Sequence, residues 1–164
     1  MIIDTVRMLL REILTALTGR PIATAWVRVP TGVVTSAYAS GDAFGLSFRV
    51  VVPERGIIQA VEFLDFDNEK LGKDFVLFDD ELSSDTADDT AWAMAVADAP
   101  KYQGTVSLTA ADFTAANANA LGNARNLGVA FIAPRGYLVV KCVTRGADNI
   151  AATADKPMVR FKIL

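Results

Sequence analysis

The side chains with the widest capacity for chemistry in this chain are its carboxylates. The chain has 19 Asp and Glu residues and no histidine, so Ser-His-Asp and Cys-His nucleophiles, histidine-ligated zinc and the usual pH switch are excluded. A carboxylate pair for glycoside hydrolysis is the catalytic arrangement that remains. Its candidate residues are Glu62, Asp65, Asp79 and Asp80. Because acidic residues are common at strand ends, this pattern has little specificity, and we expect a protein that is not an enzyme.

Acidic residues also cluster after residue 78, which raises the question of a bound cation. The cluster consists of Asp79, Asp80, Glu81, Asp85, Asp88 and Asp89. The earlier segment 65–69 begins like an EF-hand calcium loop, but Lys70 and Val76 stand where that loop needs Gly and a carboxylate. Casual cation binding by the cluster stays open beside the more usual interpretation, a solvated loop. The sequence predicts neither a catalytic metal nor a cofactor.

Three aromatic residues, Trp26, Trp92 and Tyr102, could stack on a sugar as in carbohydrate-binding sandwiches. Packing in a core or at an interface is the more ordinary role of aromatic side chains. A glycan-binding module is therefore kept as an alternative hypothesis.

The overall charge and the single cysteine bear on other classes of protein. The net charge is -3, and Lys and Arg are scattered along the chain, so the electrostatic footprint of a nucleic-acid-binding protein is missing. Cys142 lies in an apolar run and is predicted to be a buried, inert thiol. We expect no nucleic-acid partner.

Residues 1–20 have the one clear helical pattern and are predicted to form an N-terminal arm. Asp4 is the predicted N-cap, and Gly19 followed by Pro21 ends the helix. Charged residues interrupt the apolar stripe, so we expect no membrane span. The arm could pack on its own domain or dock on a neighbouring subunit. For the second case, the predicted contacts are Val6, Leu10, Ile13 and Leu17.

After Pro21 the period of the apolar residues changes to 2, and residues 21–164 are predicted to form one β domain. Strand patterns occur at 22–29, 33–38, 44–52, 57–66, 75–78, 105–108, 127–133, 136–144 and 158–164. About eight short strands without βαβ spacing predict a two-sheet sandwich, and the long connection 79–104 favours a jelly roll. The predicted fold class is all-β, a jelly-roll-like two-sheet β-sandwich with an N-terminal amphipathic α-helix.

Finer expectations concern how the strands connect. Strands 57–66 and 75–78 are expected to pair in the middle of a sheet. The turn at 53–56 is expected to join 44–52 and 57–66 as a hairpin. Alternation within 57–66 is imperfect, which indicates a β-bulge or burial on both faces.

Two connections carry expectations of their own. Segment 90–97 is expected to form a short helix capped by Asp88 or Asp89. Segment 109–124 is low in complexity and is expected to be an extended or partly helical surface loop.

The run from Ala37 to Leu164 resembles a group of small structural proteins of tailed bacteriophages. The likeness lies in the order of TSAYASGDAFG, GIIQAVEFLD and DFVLFDDELSSDTADDTAW, followed by YLVVKCVTRGADNIAATADKPMVRFKI. It rests on strand-and-turn patterns and contains no catalytic motif. The N-terminal helix departs from the family pattern.

This resemblance implies a capsid decoration or cement protein that acts as a multimer on the virion head. Its partners would be the major capsid protein and further copies of itself. Its location would be the capsid surface of the virion, after synthesis in the host cytoplasm. A neck or tail component is the alternative within the same class.

Overall fold

The described part of the chain contains ten strands, two short 3₁₀ helices and three residues of helical backbone near the N-terminus. The structure is a computed structural model, and it describes residues 6, 10, 13, 19–32, 37–148 and 156–164. The strands are β1 (Ile22–Ala23), β2 (Val27–Arg28), β3 (Phe48–Val51), β4 (Arg55–Asp65), β5 (Lys73–Phe78), β6 (Tyr102–Leu108), β7 (Phe113–Ala116), β8 (Asn119–Ile132), β9 (Tyr137–Thr144) and β10 (Met158–Ile163). The 3₁₀ helices span Val96–Lys101 and Ala110–Asp112.

The strands form two antiparallel sheets. In the first sheet the order is β1-β10-β4-β8-β7, and β2 also pairs with β10. In the second sheet the order is β3-β9-β5-β6. The prediction of an all-β protein with two sheets is confirmed.

Strand pairing is nested along the chain. β1 and β2 pair with β10, β3 pairs with β9, β4 pairs with β8, and β5 pairs with β6. The first and last strands of the chain are therefore neighbours. Moving inward from both ends of the sequence, each strand pairs with its counterpart from the other end. Such non-local pairing makes loop closure a large entropic cost, which burial of the core must offset.

In the late strands β9 and β10, alternate side chains belong to the main core. In β9, Leu138, Val140 and Cys142 belong to the main core, and Val139 and Val143 belong to a smaller cluster. Since successive side chains of a strand point to opposite faces, the smaller cluster lies on the outer face of the second sheet. β10 likewise buries alternate residues in the main core.

Aromatic rings connect the two sheets at the centre of the main core. The ring of Phe75 in β5 lies 5.8 Å from that of Phe63 in β4 and 6.1 Å from that of Phe161 in β10, between centroids. Phe63 also meets Phe113 of β7 edge-on at 6.2 Å. Tilted and edge-on pairs are favourable arrangements for aromatic rings, so these contacts define how the sheets face each other.

Segment 109–124, predicted to be an extended or partly helical surface loop, is mostly exposed up to residue 118, but it forms regular elements instead of a loop. This segment contains the second 3₁₀ helix, β7 and the first residues of β8. Gly122 has a packing role, because a Cβ added there would lie 2.9 Å from the ring of Phe113. At this position β8 passes closely under an aromatic ring.

The two predicted local pairings are also wrong. β4 belongs to the first sheet and β5 to the second, so they do not pair. β3 and β4 are likewise in different sheets, and the turn between them crosses from one sheet to the other instead of closing a hairpin. Apolar alternation indicates which face of a strand is buried, but it does not specify the strand's partner.

The imperfect alternation in β4 has two causes, a β-bulge and burial on both faces of the strand, and both were predicted as alternatives. Ile58 pairs with Val129 of β8 and Ala60 pairs with Arg125, so the register shifts at Gln59 as in a β-bulge. Past this point, Ala60 is buried on the outer face of the sheet.

Three other predicted elements differ from the structure. The helix expected at 90–97 is replaced by the 3₁₀ helix Val96–Lys101, and Ala91 instead forms an isolated bridge with Asp42. The strand pattern at 22–29 is divided into β1 and β2, and the pattern at 44–52 is reduced to β3. Most of the strand predicted at 33–38 lies outside the described residues.

Candidate functional site

The acidic residues that follow β5 are bound by side chains of the same chain. We call residues 79–101 the acidic loop. Each of six carboxylates in this loop contacts a polar or charged side chain. The pairs are Asp79 with Gln103, Asp80 with Arg135, Glu81 with Arg49, Asp85 with Lys141, Asp88 with Tyr38 and Asp98 with Lys101. The acidic loop is largely exposed, as expected from the sequence, but these contacts fasten it to the outer face of the second sheet.

Lys141 of β9 is the most buried of these anchors. Its side chain has no solvent exposure. Its Nζ donates to Asp85 Oδ1 at 2.7 Å, to the carbonyl of Thr86 at 2.7 Å and to the carbonyl of Gly45 at 2.9 Å. An ammonium has three donors, so all of them are used. Because an unpaired buried charge is costly, this ammonium holds the acidic loop and the segment around residue 45 against β9.

Asp85 completes this anchor with further hydrogen bonds. Its other carboxylate oxygen accepts the backbone N–H of Ser47 at 2.7 Å and the Ser47 hydroxyl at 2.9 Å. Burial raises the pKa of Asp85, but the hydrogen bonds from Lys141 and Ser47 outweigh it, so this pKa lies below its ordinary range. The cation that this carboxylate binds is thus a lysine of its own chain.

Asp88 joins three further segments of the chain. Its carboxylate accepts the Tyr38 hydroxyl at 2.8 Å, the N–H of Gly45 at 2.7 Å and the N–H of Gly32. Burial, followed by the hydrogen bond to Asp88, raises the pKa of Tyr38. The carboxylate predicted to cap a helix is therefore used to fasten loops instead.

Of the three predicted sugar-stacking rings, Trp26 lies on the first sheet and the other two lie on the second. The Trp26 ring stacks with the Arg160 guanidinium of the first sheet, 4.5 Å from its carbon to the ring centroid. Trp92 packs against the apolar cluster on the outer face of the second sheet. Tyr102 meets Phe78 at a centroid distance of 6.3 Å. The structure does not bring the three rings together.

Each carboxylate proposed for hydrolysis has a structural partner. Glu62 contacts Arg160 and Lys162, both at 2.5 Å. Burial raises the pKa of Glu62, but hydrogen bonds from those two cations outweigh it and leave the pKa below its ordinary range. Asp65 accepts the N–H groups of two residues in the turn after β4, both at 3.0 Å. Asp79 and Asp80 belong to the acidic loop of the other sheet.

Sequence reasoning missed an ion pair inside the main core. Lys73, the first residue of β5, is buried and contacts Asp148, which follows β9 and is buried as well. Its Nζ donates to the carbonyl of Leu71 at 3.0 Å and lies 4.8 Å from the centroid of the Phe44 ring. Lysine at a strand end ordinarily indicates a solvated flank, so no local signal in the sequence marks this pair.

Cys142 is a free thiol and is buried, as predicted. Burial raises its pKa. Since the thiolate is the reactive form, this cysteine is chemically inert in the folded chain.

The predicted arm contacts are apolar and uncovered where the structure describes them. Val6, Leu10 and Ile13 have helical backbone, and their exposed fractions are 49%, 60% and 47%. The fourth predicted contact, Leu17, lies outside the described residues. The prediction that these four residues form an intersubunit contact stays a prediction.

A second apolar surface lies at one end of the first sheet, and sequence reasoning did not find it. We call Ile57, Ala130, Ile132 and Leu164 the end patch. Ile57 exchanges two backbone hydrogen bonds of 2.9 Å with Leu164, and it pairs with Ala130 of β8. Ile132 follows two residues later in β8, on the same face. All four residues are exposed, and the exposed fraction of Ile132 is 63%.

No family model, curated protein or solved structure matches the chain. Among the described residues, no three or more Asp, Glu or Cys side chains come close enough together to hold a metal ion. In the same part of the chain, no helix has the length and apolar character needed to cross a membrane.

The Lys141–Asp85 pair should respond unequally to removal of its two partners. Replacing Asp85 with Ala leaves a fully buried ammonium without its counterion, and we expect a loss of about 3–5 kcal/mol in the free energy of unfolding. Lys141→Met should cost clearly less, because the Asp85 side chain is 28% exposed and can be solvated. Urea denaturation measures both.

The matched control is the exposed ion pair between Glu81 of the same loop and Arg49 of β3. Glu81→Ala should cost about 0–1 kcal/mol, as for other surface pairs. Equal losses for Asp85→Ala and Glu81→Ala would show that the buried pair does not anchor the loop.

The lowered pKa values also predict how stability depends on pH. For Asp85, Asp98 and Glu62, burial raises the pKa, but hydrogen bonds from lysine or arginine outweigh it. Each contribution to stability is therefore present above the unfolded pKa, near 4, and is lost as the pH falls through the lower folded value. We expect the free energy of unfolding to fall steadily from pH 5 to pH 2.5 in urea titrations.

Asp85→Asn should make this decline shallower. Glu69 acts in the opposite direction because burial and nearby carboxylates raise its pKa. A free energy of unfolding that is constant over this range would contradict the assignment of these ion pairs.

Proposed function

We propose that this chain is a structural protein of a tailed bacteriophage that decorates or cements the capsid shell through protein–protein contacts. Its partners are the major capsid protein and further copies of itself. It resides on the capsid surface of the virion and is made in the host cytoplasm. The proposal rests on the fold, on the exposed apolar surfaces and on the family resemblance of residues 37–164.

The nested strand pairing is the observation that carries the proposal furthest. If β1 and β2 count as one strand and β7 as an extension of β8, eight strands pair first with last, second with seventh, third with sixth and fourth with fifth. A long hairpin wrapped into two facing sheets has this pairing, so we infer a jelly roll. Jelly rolls occur in viral capsid and lectin domains and in cupins.

A fold alone does not specify a function, so the surfaces must support the choice. The arm residues Val6, Leu10 and Ile13 and the end patch leave apolar area uncovered in the single chain. Contiguous exposed apolar surface is typical of sites of protein association. Trp26 lies on the other sheet from Trp92 and Tyr102, so the three rings do not form one glycan platform.

A rigid outer surface suits a cement protein for a physical reason. Cementing works when bound copies favour the assembled shell, because anything that binds only that state stabilises it by mass action. A loop that had to be ordered on binding would weaken the contact. The carboxylates of the acidic loop already have partners in the free chain, so this cost is small.

Quantitative mass spectrometry of purified particles tests the proposed function. We expect this chain at a copy number equal to that of the major shell protein, or at a simple fraction of it. A handful of copies per particle would contradict shell decoration and assign the chain to the neck or tail. Absence from particles that contain the other virion proteins would contradict a structural role altogether.

A further inference from the structure

The end patch is placed where the N-terminal arm leaves the domain. β1 begins directly after Pro21, and Ile22 pairs with Ile163 of β10. The next residue, Leu164, is the part of the end patch that β10 contributes. The arm therefore starts at the same end of the first sheet as the end patch.

The arm and the end patch are also of matching character. The described apolar residues of the arm are three aliphatic side chains at helical spacing, and the end patch is a row of aliphatic side chains across three neighbouring strands. A helix presents residues three and four apart on one face, which fits a flat sheet surface. Arg55 of β4 lies directly opposite Ile132 and is exposed, so one charged side chain borders the end patch.

The two surfaces do not cover each other within one chain. Leu10 is 60% exposed and Ile132 is 63% exposed with the whole chain present. The occupant that fits both observations is another copy of the same chain, which offers an identical arm and an identical patch. Exposed aliphatic surface on both sides gives a hydrophobic driving force for that contact.

We propose that the N-terminal arm of one copy docks on the end patch of a neighbouring copy. Val6, Leu10 and Ile13 of the arm contact Ile57, Ile132 and Leu164 of the neighbour. Each copy then donates one arm and receives another, and the head-to-tail contact closes into a ring when the rotation between copies permits it. This inference rests on the homo-oligomer in the proposed function, but it does not depend on the capsid as a partner.

Disulfide trapping between two differently tagged variants tests this contact. Leu10→Cys is placed on one copy and Ile132→Cys on the other, and the mixture is oxidised mildly. The native Cys142 is buried, so it does not compete. We expect a covalent heterodimer on a denaturing gel that disappears on reduction.

Val51→Cys is the matched control for Ile132→Cys. Val51 is an aliphatic strand residue of 68% exposure, but it belongs to the second sheet. It should trap at least tenfold less heterodimer with Leu10→Cys. Equal trapping at both positions would overturn the proposal.

The double variant with Cys at positions 10 and 132 of one chain distinguishes the two arrangements of the arm. Covalent oligomers are expected if the arm docks on a neighbour. A monomer with an internal disulfide would show that the arm docks on its own domain and would overturn the proposal.

A second measurement avoids cysteine chemistry. Leu10→Asp combined with Ile13→Asp should reduce the mass of the oligomer to that of the monomer in light scattering, and Arg7→Asp with Arg11→Asp should not. An unchanged oligomer in the first variant would overturn the arm contact. The two proposals can fail separately. If disulfide trapping succeeds but mass spectrometry does not find the chain in particles, the arm contact stands and the proposed function is wrong.

Discussion

The buried ammonium of Lys141 is the interaction on which the outer surface of this protein depends. It binds Asp85, Thr86 and Gly45 at once, and so joins the acidic loop to β9 and to the segment before β3. It is the most buried of the polar contacts that fix this connection of more than twenty residues on the second sheet. Asp88 likewise joins the acidic loop to another segment of the chain, by accepting a hydrogen bond from the Tyr38 hydroxyl. The carboxylates of Asp85 and Asp88, which belong to a possible cation-binding cluster in the sequence, therefore bind groups of the same chain.

The nested strand order explains why these fasteners are needed. Each sheet is built from strands far apart in the sequence, so long connections must cross the ends and faces of the sandwich. Conformational entropy opposes the ordering of such connections. Apolar burial between the sheets, centred on the ring of Phe75 and its neighbours, offsets this for the strands. The loops instead use buried polar contacts, each of which is costly to leave unmade.

Sequence patterns predicted the buried faces of the strands but not their partners. The period-2 alternation of β9 and β10 is visible along the chain, and in each strand one alternating set of residues belongs to the main core. The partner of a strand depends on residues a hundred positions away, so β4 was wrongly paired with β5. The start of β8 within segment 109–124 was missed because Gly122 is required by the ring of Phe113, a contact that the local sequence does not reveal. The Lys73–Asp148 pair and the end patch are formed by residues far apart in the sequence, so local patterns do not predict them.

The central claim is that this domain sits on a capsid shell with its arms bridging neighbouring copies. The most direct measurement is a cryo-electron microscopy reconstruction of the intact particle. The account predicts two-sheet domains in closed rings on the outer shell, with a helix from each copy lying on the first sheet of the next. A shell whose density is fully occupied by other proteins, with no such domain on it, would contradict the account.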